Sequence, residues 1–158
     1  MKTVNYLFIA VLSFSLASCG SKKDDPSPPA STLTHTGEKW NITSMDYSMV
    51  DASLSSAGVS SGTIKDAGAF YFDGITGSFD IVIGKSRKED YYGFTDSNNA
   101  ITIISISQNV SVTTFSQNVI AISGAKTGTT MTLHGTVTKQ SLTGESVLTG
   151  TFTLTKAN

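Results

Sequence analysis

The chain has 158 residues, a formal net charge of −1 and 15% charged residues. That balance leaves no basic footprint for nucleic acid and no polybasic patch for a lipid surface, and a single cysteine excludes an internal disulfide. Asn, Ser, Thr and Gly are abundant while Leu and Ala are sparse beyond the first residues, a composition that suits strands and turns better than helices.

Lys2 begins the chain with a positive charge, and Val4 to Leu16 form a mostly apolar run of about a dozen residues, the pattern of an export signal. The run is shorter than the ~20 residues needed to span a bilayer. It stops at Leu16-Ala17-Ser18-Cys19. These four residues resemble the lipobox of bacterial lipoproteins: a branched apolar residue, two small ones, then the cysteine that receives lipid. The resemblance implies a signal peptide over residues 1–18, cleavage before Cys19, and acyl chains such as palmitate on Cys19 holding the protein to a membrane. Removal of 18 residues from 158 leaves 140, enough for one domain. Behind the cysteine, Ser21-Lys22-Lys23-Asp24-Asp25 resembles the export signal of Bacteroidota lipoproteins. That likeness implies an outer-membrane lipoprotein exposed at the cell surface.

From Cys19 to Thr36 the chain is polar and holds all three prolines, Pro26, Pro28 and Pro29. With no apolar period, residues 19–36 read as a disordered, partly extended tether. At about 3 Å per residue it would reach some 50 Å at full stretch. The folded domain is expected over residues 37–156.

Alternation begins with Trp40 and Ile42 on one side and Asn41 and Thr43 on the other, a half-buried strand, with Trp40 placed to plug one end of the core. Ser48 to Asp66 fits neither a helical nor a strand period and is expected to be a long crossing loop with a helical turn near Val50 to Leu54. Phe70 and Phe72 then alternate with Ala69 and Tyr71, and Asp73 to Gly77 supply turn chemistry. Phe79, Ile81 and Ile83 share a face; Gly84 to Asp90 read as a charged hairpin tip; Tyr91 to Phe94 return. A turn at Asp96 to Asn99 precedes Ile101 to Ile106. Val110 to Phe115 and Val119 to Ile122 read as two short strands around Ser116-Gln117-Asn118, and Gly124 to Gly128 as a turn. Met131, Leu133, Gly135 and Val137 share a face opposite the threonines, Leu142-Thr143-Gly144 turn the chain, and Leu148, Gly150, Phe152 and Leu154 close it. Eight or nine strands at this spacing predict an all-β fold, an antiparallel meander closed as a barrel or folded as a sandwich.

Gly37, Trp40, Ile42, Thr43 and Ser44, with the aromatic strand Phe70-Tyr71-Phe72 running into Asp73-Gly74, resemble the lipocalin-like domains of Bacteroidota lipoproteins over residues 37–155. The resemblance implies an eight- to nine-stranded lipocalin-like barrel.

Chemistry is sparse. His35 lies in the tether and His134 among threonines on a strand's outward face, so no second histidine or thiol completes a metal site. Asp73 and Asp80 are too few for calcium, which takes six to eight oxygens. No positioned nucleophile or acid–base pair is legible, so neither an enzyme nor a cofactor is expected. Binding remains. Tyr71, Tyr91, Tyr92 and Phe94 are the candidate ligand-binding residues, since tyrosine pairs an apolar body with a polar tip and an eight-stranded barrel can hold one small ligand. Two readings follow: a monomeric carrier of a small hydrophobic ligand, or a surface module that binds a protein or glycan and has no cavity. A purely structural envelope lipoprotein is a third.

Overall fold

Hydrogen-bond pairing decides between the barrel and the sandwich. In the computed structural model, which describes residues 27–52, 58–111 and 113–158, eight strands follow in chain order: β1 (Glu38–Asp51), β2 (Gly58–Asp73), β3 (Thr76–Ile83), β4 (Ser86–Ser97), β5 (Ala100–Val110), β6 (Phe115–Thr127), β7 (Thr130–Ser141) and β8 (Gly144–Lys156). Each pairs antiparallel with the next, and β1 pairs with β8 from Trp40↔Lys156 to Asp51↔Ser146, so the meander closes on itself. Closure pairs β1 with β8, the two strands that an open meander would leave as its outer edges. The signal segment, Cys19 and the charged run behind it lie outside the described residues.

The barrel is filled. Phe70, Phe79, Phe152, Ile42, Ile81, Ile103, Ile120, Leu133 and Leu148 are all fully buried. Phe70 stands at the centre of the rings, with Phe72, Phe79, Tyr92 and Phe152 at centroid distances of 6.4, 5.8, 6.1 and 5.4 Å. Trp40 is buried in the same core, at the end where the barrel's first and last strands meet.

Several sequence expectations are corrected by the pairing. The loop read over Ser48 to Asp66 is mostly strand: β1 runs to Asp51 and β2 starts at Gly58. Val50 and Asp51 are strand, not helix, and the rest of the expected helical turn falls largely outside the described residues. The cause is a bulge. Register shifts between Ile42 and Ser44 against both β2 and β8, so the inward face passes from even to odd positions. Met45, Tyr47 and Met49 then continue the core that Trp40 and Ile42 began. A period-two reading carried through Thr43 loses step there.

Likewise Ser116-Gln117-Asn118 are not a turn; they belong to β6, paired with β7 on one side and β5 on the other, and β5 reaches Val110. The charged residues Ser86 to Glu89 are strand too, the tip being Gly84 and Lys85, and Gly124 to Thr127 remain within β6.

The ring is complete only toward the Trp40 end. β2 pairs with β3 from Gly68 to Asp73, and β4 pairs with β5 from Gly93 to Ser97. Beyond those points β5–β6–β7–β8–β1–β2 continue as a curved sheet, and the tip of the β3–β4 hairpin stands alone in the gap. Its side chains reach across: Lys88 Nζ donates to Ser146 Oγ on β8 (2.7 Å), and Asp90 accepts from Asn118 Nδ2 on β6 (2.7 Å).

Candidate functional site

The four aromatic candidates do not form one site, because successive strand residues face opposite sides. Tyr92 and Phe94 point inward. Tyr92 is 3% exposed, its ring lies over Gly77, where a Cβ would come within 2.5 Å of it, and its hydroxyl donates to the Tyr71 carbonyl at 2.9 Å. Burial pushes the Tyr92 phenol far up, so it stays neutral. Phe94 is half-buried and packs edge-on against Phe72 at 4.9 Å. Both rings fill the core. Tyr71 and Tyr91 share the other face, the outside of the barrel, in one row through Tyr71↔Ser78↔Tyr91.

That row is occupied by the segment before β1. His35 stacks on Tyr71 (centroids 4.5 Å, planes 11° apart), and its Nδ1 lies 2.9 Å from Ser78 Oγ. Ser78 is thereby buried although it faces outward. The Tyr91 hydroxyl donates to the Thr34 carbonyl (3.2 Å), Thr36 Oγ1 donates to Asp73 (2.9 Å), and Glu89 accepts from Ser31 Oγ (2.7 Å), Thr32 N (3.0 Å) and Thr32 Oγ1. Residues 31–36, read from sequence as part of the tether, thus form a strap across β2, β3 and β4. Alone, Leu33-Thr34-His35 is too short to show a strand period; only the facing tyrosines and Glu89 give it partners. His35 is the functional candidate that sequence reasoning passed over.

Glu89 makes the strap sensitive to acid. Burial by itself raises its carboxyl, but the hydrogen bonds from Thr32 and Ser31, helped by the nearby Arg87 charge, outweigh burial and hold it at about 2 instead of 4.5. A carboxyl depressed in the docked state supports docking fully above the undocked value and loses that support as pH falls through the docked one. The strap is therefore expected to be held above about pH 4.5 and to loosen between about 4.5 and about 2. Titration of the Glu89 carboxyl by carbon NMR checks this. The midpoint should lie near 2 in the parent protein and rise toward 4.5 when Ser31→Ala and Thr32→Val remove the two hydroxyl donors, the Thr32 backbone N–H and Arg87 remaining; an unmoved midpoint would show that the strap is not what holds it.

A second feature is the mouth opposite Trp40. A cleft of about 290 Å³ is floored by Phe79 and Val137 and rimmed by Lys88, Lys139, Asp90 and Asn118, with Thr32 and Leu33 of the strap at its side. Burial lowers the Lys88 ammonium from its ordinary range, Asp51 opposing and Lys139 adding to the shift. The side-chain oxygen of Asn118 is buried there with no hydrogen-bond partner among the described residues. Elsewhere, His134 faces outward with Nδ1 2.9 Å from Thr151 Oγ1. Among the described residues no group of three His, Cys, Asp or Glu is placed to hold a metal. The third feature is apolar: Ile75, Ile104, Ile106 and Val110 are well exposed on the outer surface.

No protein-family model matches the chain, and no curated protein or solved structure matches it. What the chain does has to be argued from these three surfaces.

Proposed function

We propose that the protein is an outer-membrane lipoprotein, anchored through lipid on Cys19 and exposed at the cell surface, whose barrel is a solid scaffold for binding a protein or glycan on its outside. The observation that carries this reading is the ring cluster around Phe70, which occupies the space a carrier would leave for its ligand. The outward Tyr91, 51% exposed, is suited to stacking on a sugar or packing against an apolar side chain. With Ser31 docked on Glu89, 11 residues lie between Cys19 and the docked segment, 12 residue steps in all, a reach of at most ~40 Å at about 3.3 Å per residue. The strap thus holds the domain closer to its anchor than an 18-residue tether would.

The mouth cleft favours a second reading, a carrier for a small ligand with an apolar body. Phe79 and Val137 would take that body, while Lys88, Lys139 and Asn118 would take a polar or anionic head. Titration of the full chain with fatty acids, haem, bile acids and a hydrophobic dye, read by Trp40 and tyrosine fluorescence, separates the two when paired with a glycan array and a bacterial surface-protein panel. The scaffold reading expects no saturable apolar binding and hits in one of the latter. Saturable one-to-one binding of an apolar ligand, weakened by Lys88→Ala, would replace it with the carrier.

A further inference from the structure

We propose that the free edge of β5 is a self-association surface, taken by β5 of a second copy of this chain in antiparallel register about Ser107. β4 covers β5 only as far as Ile104. From Ser105 to Val110, among the described residues, β5 has a strand partner only on its β6 side. The half of β4 that would otherwise cover it reaches inward, its Lys88 bonded to β8 and its Asp90 to β6. A strand left this way presents a row of N–H and C=O groups on which another strand can add.

Natural sheets blunt such edges with charges, prolines, bulges or glycines. β5 has none of these: Ala100 to Val110 contains no charged residue, proline or glycine, and its ladder with β6 runs unbroken from Ala100↔Ala125 to Val110↔Phe115. The free stretch of β2 is different. It carries Gly62 and Lys65 and leads into the irregular turn of the ladder at Asp66 and Gly68, where both residues take positive φ. Among the described residues only the β5 edge joins an unbroken ladder to an unguarded sequence.

The occupant follows from the pattern along that edge. A two-fold interface sets the same patch against itself. Centred on Ser107, the pairing places Ser105 opposite Asn109 of the second copy and Ile106 opposite Gln108, and it stops short of Ile104, whose edge β4 already takes through Gly93. The outward apolar residues of β5, 62% exposed at Ile104, 68% at Ile106 and 66% at Val110, then line up across the two copies as one apolar stripe on the outer surface. Beside Ile104 lies an open apolar depression of about 420 Å³ between Ile75 and Phe94, where Val110 of the second copy would rest. With no charge on the strand, two copies meet without repulsion, and a charged partner finds nothing to pair with. This edge is apart from the tyrosine row and, although Ser107 is paired with Asn118 of the mouth, the proposal does not rest on either reading above.

Oxidative cross-linking of the full chain in its membrane tests it, with the parent protein as the baseline for Cys19. Ser107→Cys places two thiols on facing strand positions, whose Cβ atoms sit about 5 Å apart. Asn109→Cys leaves its thiols four residues out of register, roughly 13 Å apart, and Ser61→Cys probes the β2 edge. The expected result is covalent dimer from Ser107→Cys at least ~tenfold above the other two, abolished when the exposed Ile106 is also changed to lysine. Circular dichroism of each variant confirms that the barrel is intact. No dimer from Ser107→Cys, equal dimer at all three positions, or a Ser107→Cys dimer that survives Ile106→Lys would each overturn the proposal.

Discussion

Replacing Phe70 with alanine is expected to cost about 3–5 kcal/mol of stability, the usual range for deleting a fully buried ring. Phe70 has no exposed surface and meets four other rings, on β2, β3, β4 and β8. Its loss leaves a cavity that those strands cannot close without shifting the ladders they share. Urea unfolding followed by Trp40 fluorescence measures the change, and the midpoint should fall steeply with little change in slope. Ile106→Ala provides the contrast. Its side chain is exposed, so its effect should stay within about 0.5 kcal/mol. A Phe70→Ala loss as small as that would mean the core is far looser than its ring geometry indicates.

A comparable loss, about 3 kcal/mol or more, is expected for Gly68→Ala, for a reason that involves no lost contact. Gly68 has φ of +131°, and a Cβ there would lie 1.9 Å from the Asp80 carbonyl oxygen on β3. The close approach occurs beside the β1–β2 irregularity, where β3 meets β2, so relief would require separating those strands. Gly74 calibrates the effect. It also has positive φ, +64°, but open space around its Cβ position, and its alanine variant should lose only about 1 kcal/mol from backbone strain. Thermal unfolding of the pair by circular dichroism reads the difference. Equal losses would mean the contact at Gly68 yields easily and strain alone matters.

The fold was legible wherever alternation ran without interruption. Met131 to Val137 and Leu148 to Leu154 are inward exactly as a period of two requires, and the turns at Asp73-Gly74, Asn98-Asn99 and Leu142-Thr143 fall where their residues ask for positive φ or a reversal. Legibility failed at Thr43, where one bulge moved Met45, Tyr47 and Met49 out of phase with Trp40 and hid the second half of β1 inside an apparent loop. It failed again around Ser111, because Ser105 to Ser116 hold no glycine or proline to mark the hairpin. Of the four aromatic candidates, Tyr71 and Tyr91 share one face, but nothing in the sequence said that the face was outward.

Local chemistry along the chain was enough to determine an all-β antiparallel meander, because side-chain period and turn residues act between near neighbours. The choice of barrel over sandwich, the docking of residues 31–36 on the tyrosine row, and the uncovered edge of β5 were decided only in three dimensions. Each depends on partners far apart in sequence: β1 with β8, His35 with Tyr71 and Ser78, and Lys88 with Ser146. Closing the ring sets which face each strand turns inward, and with it which aromatic residues become core and which remain outside.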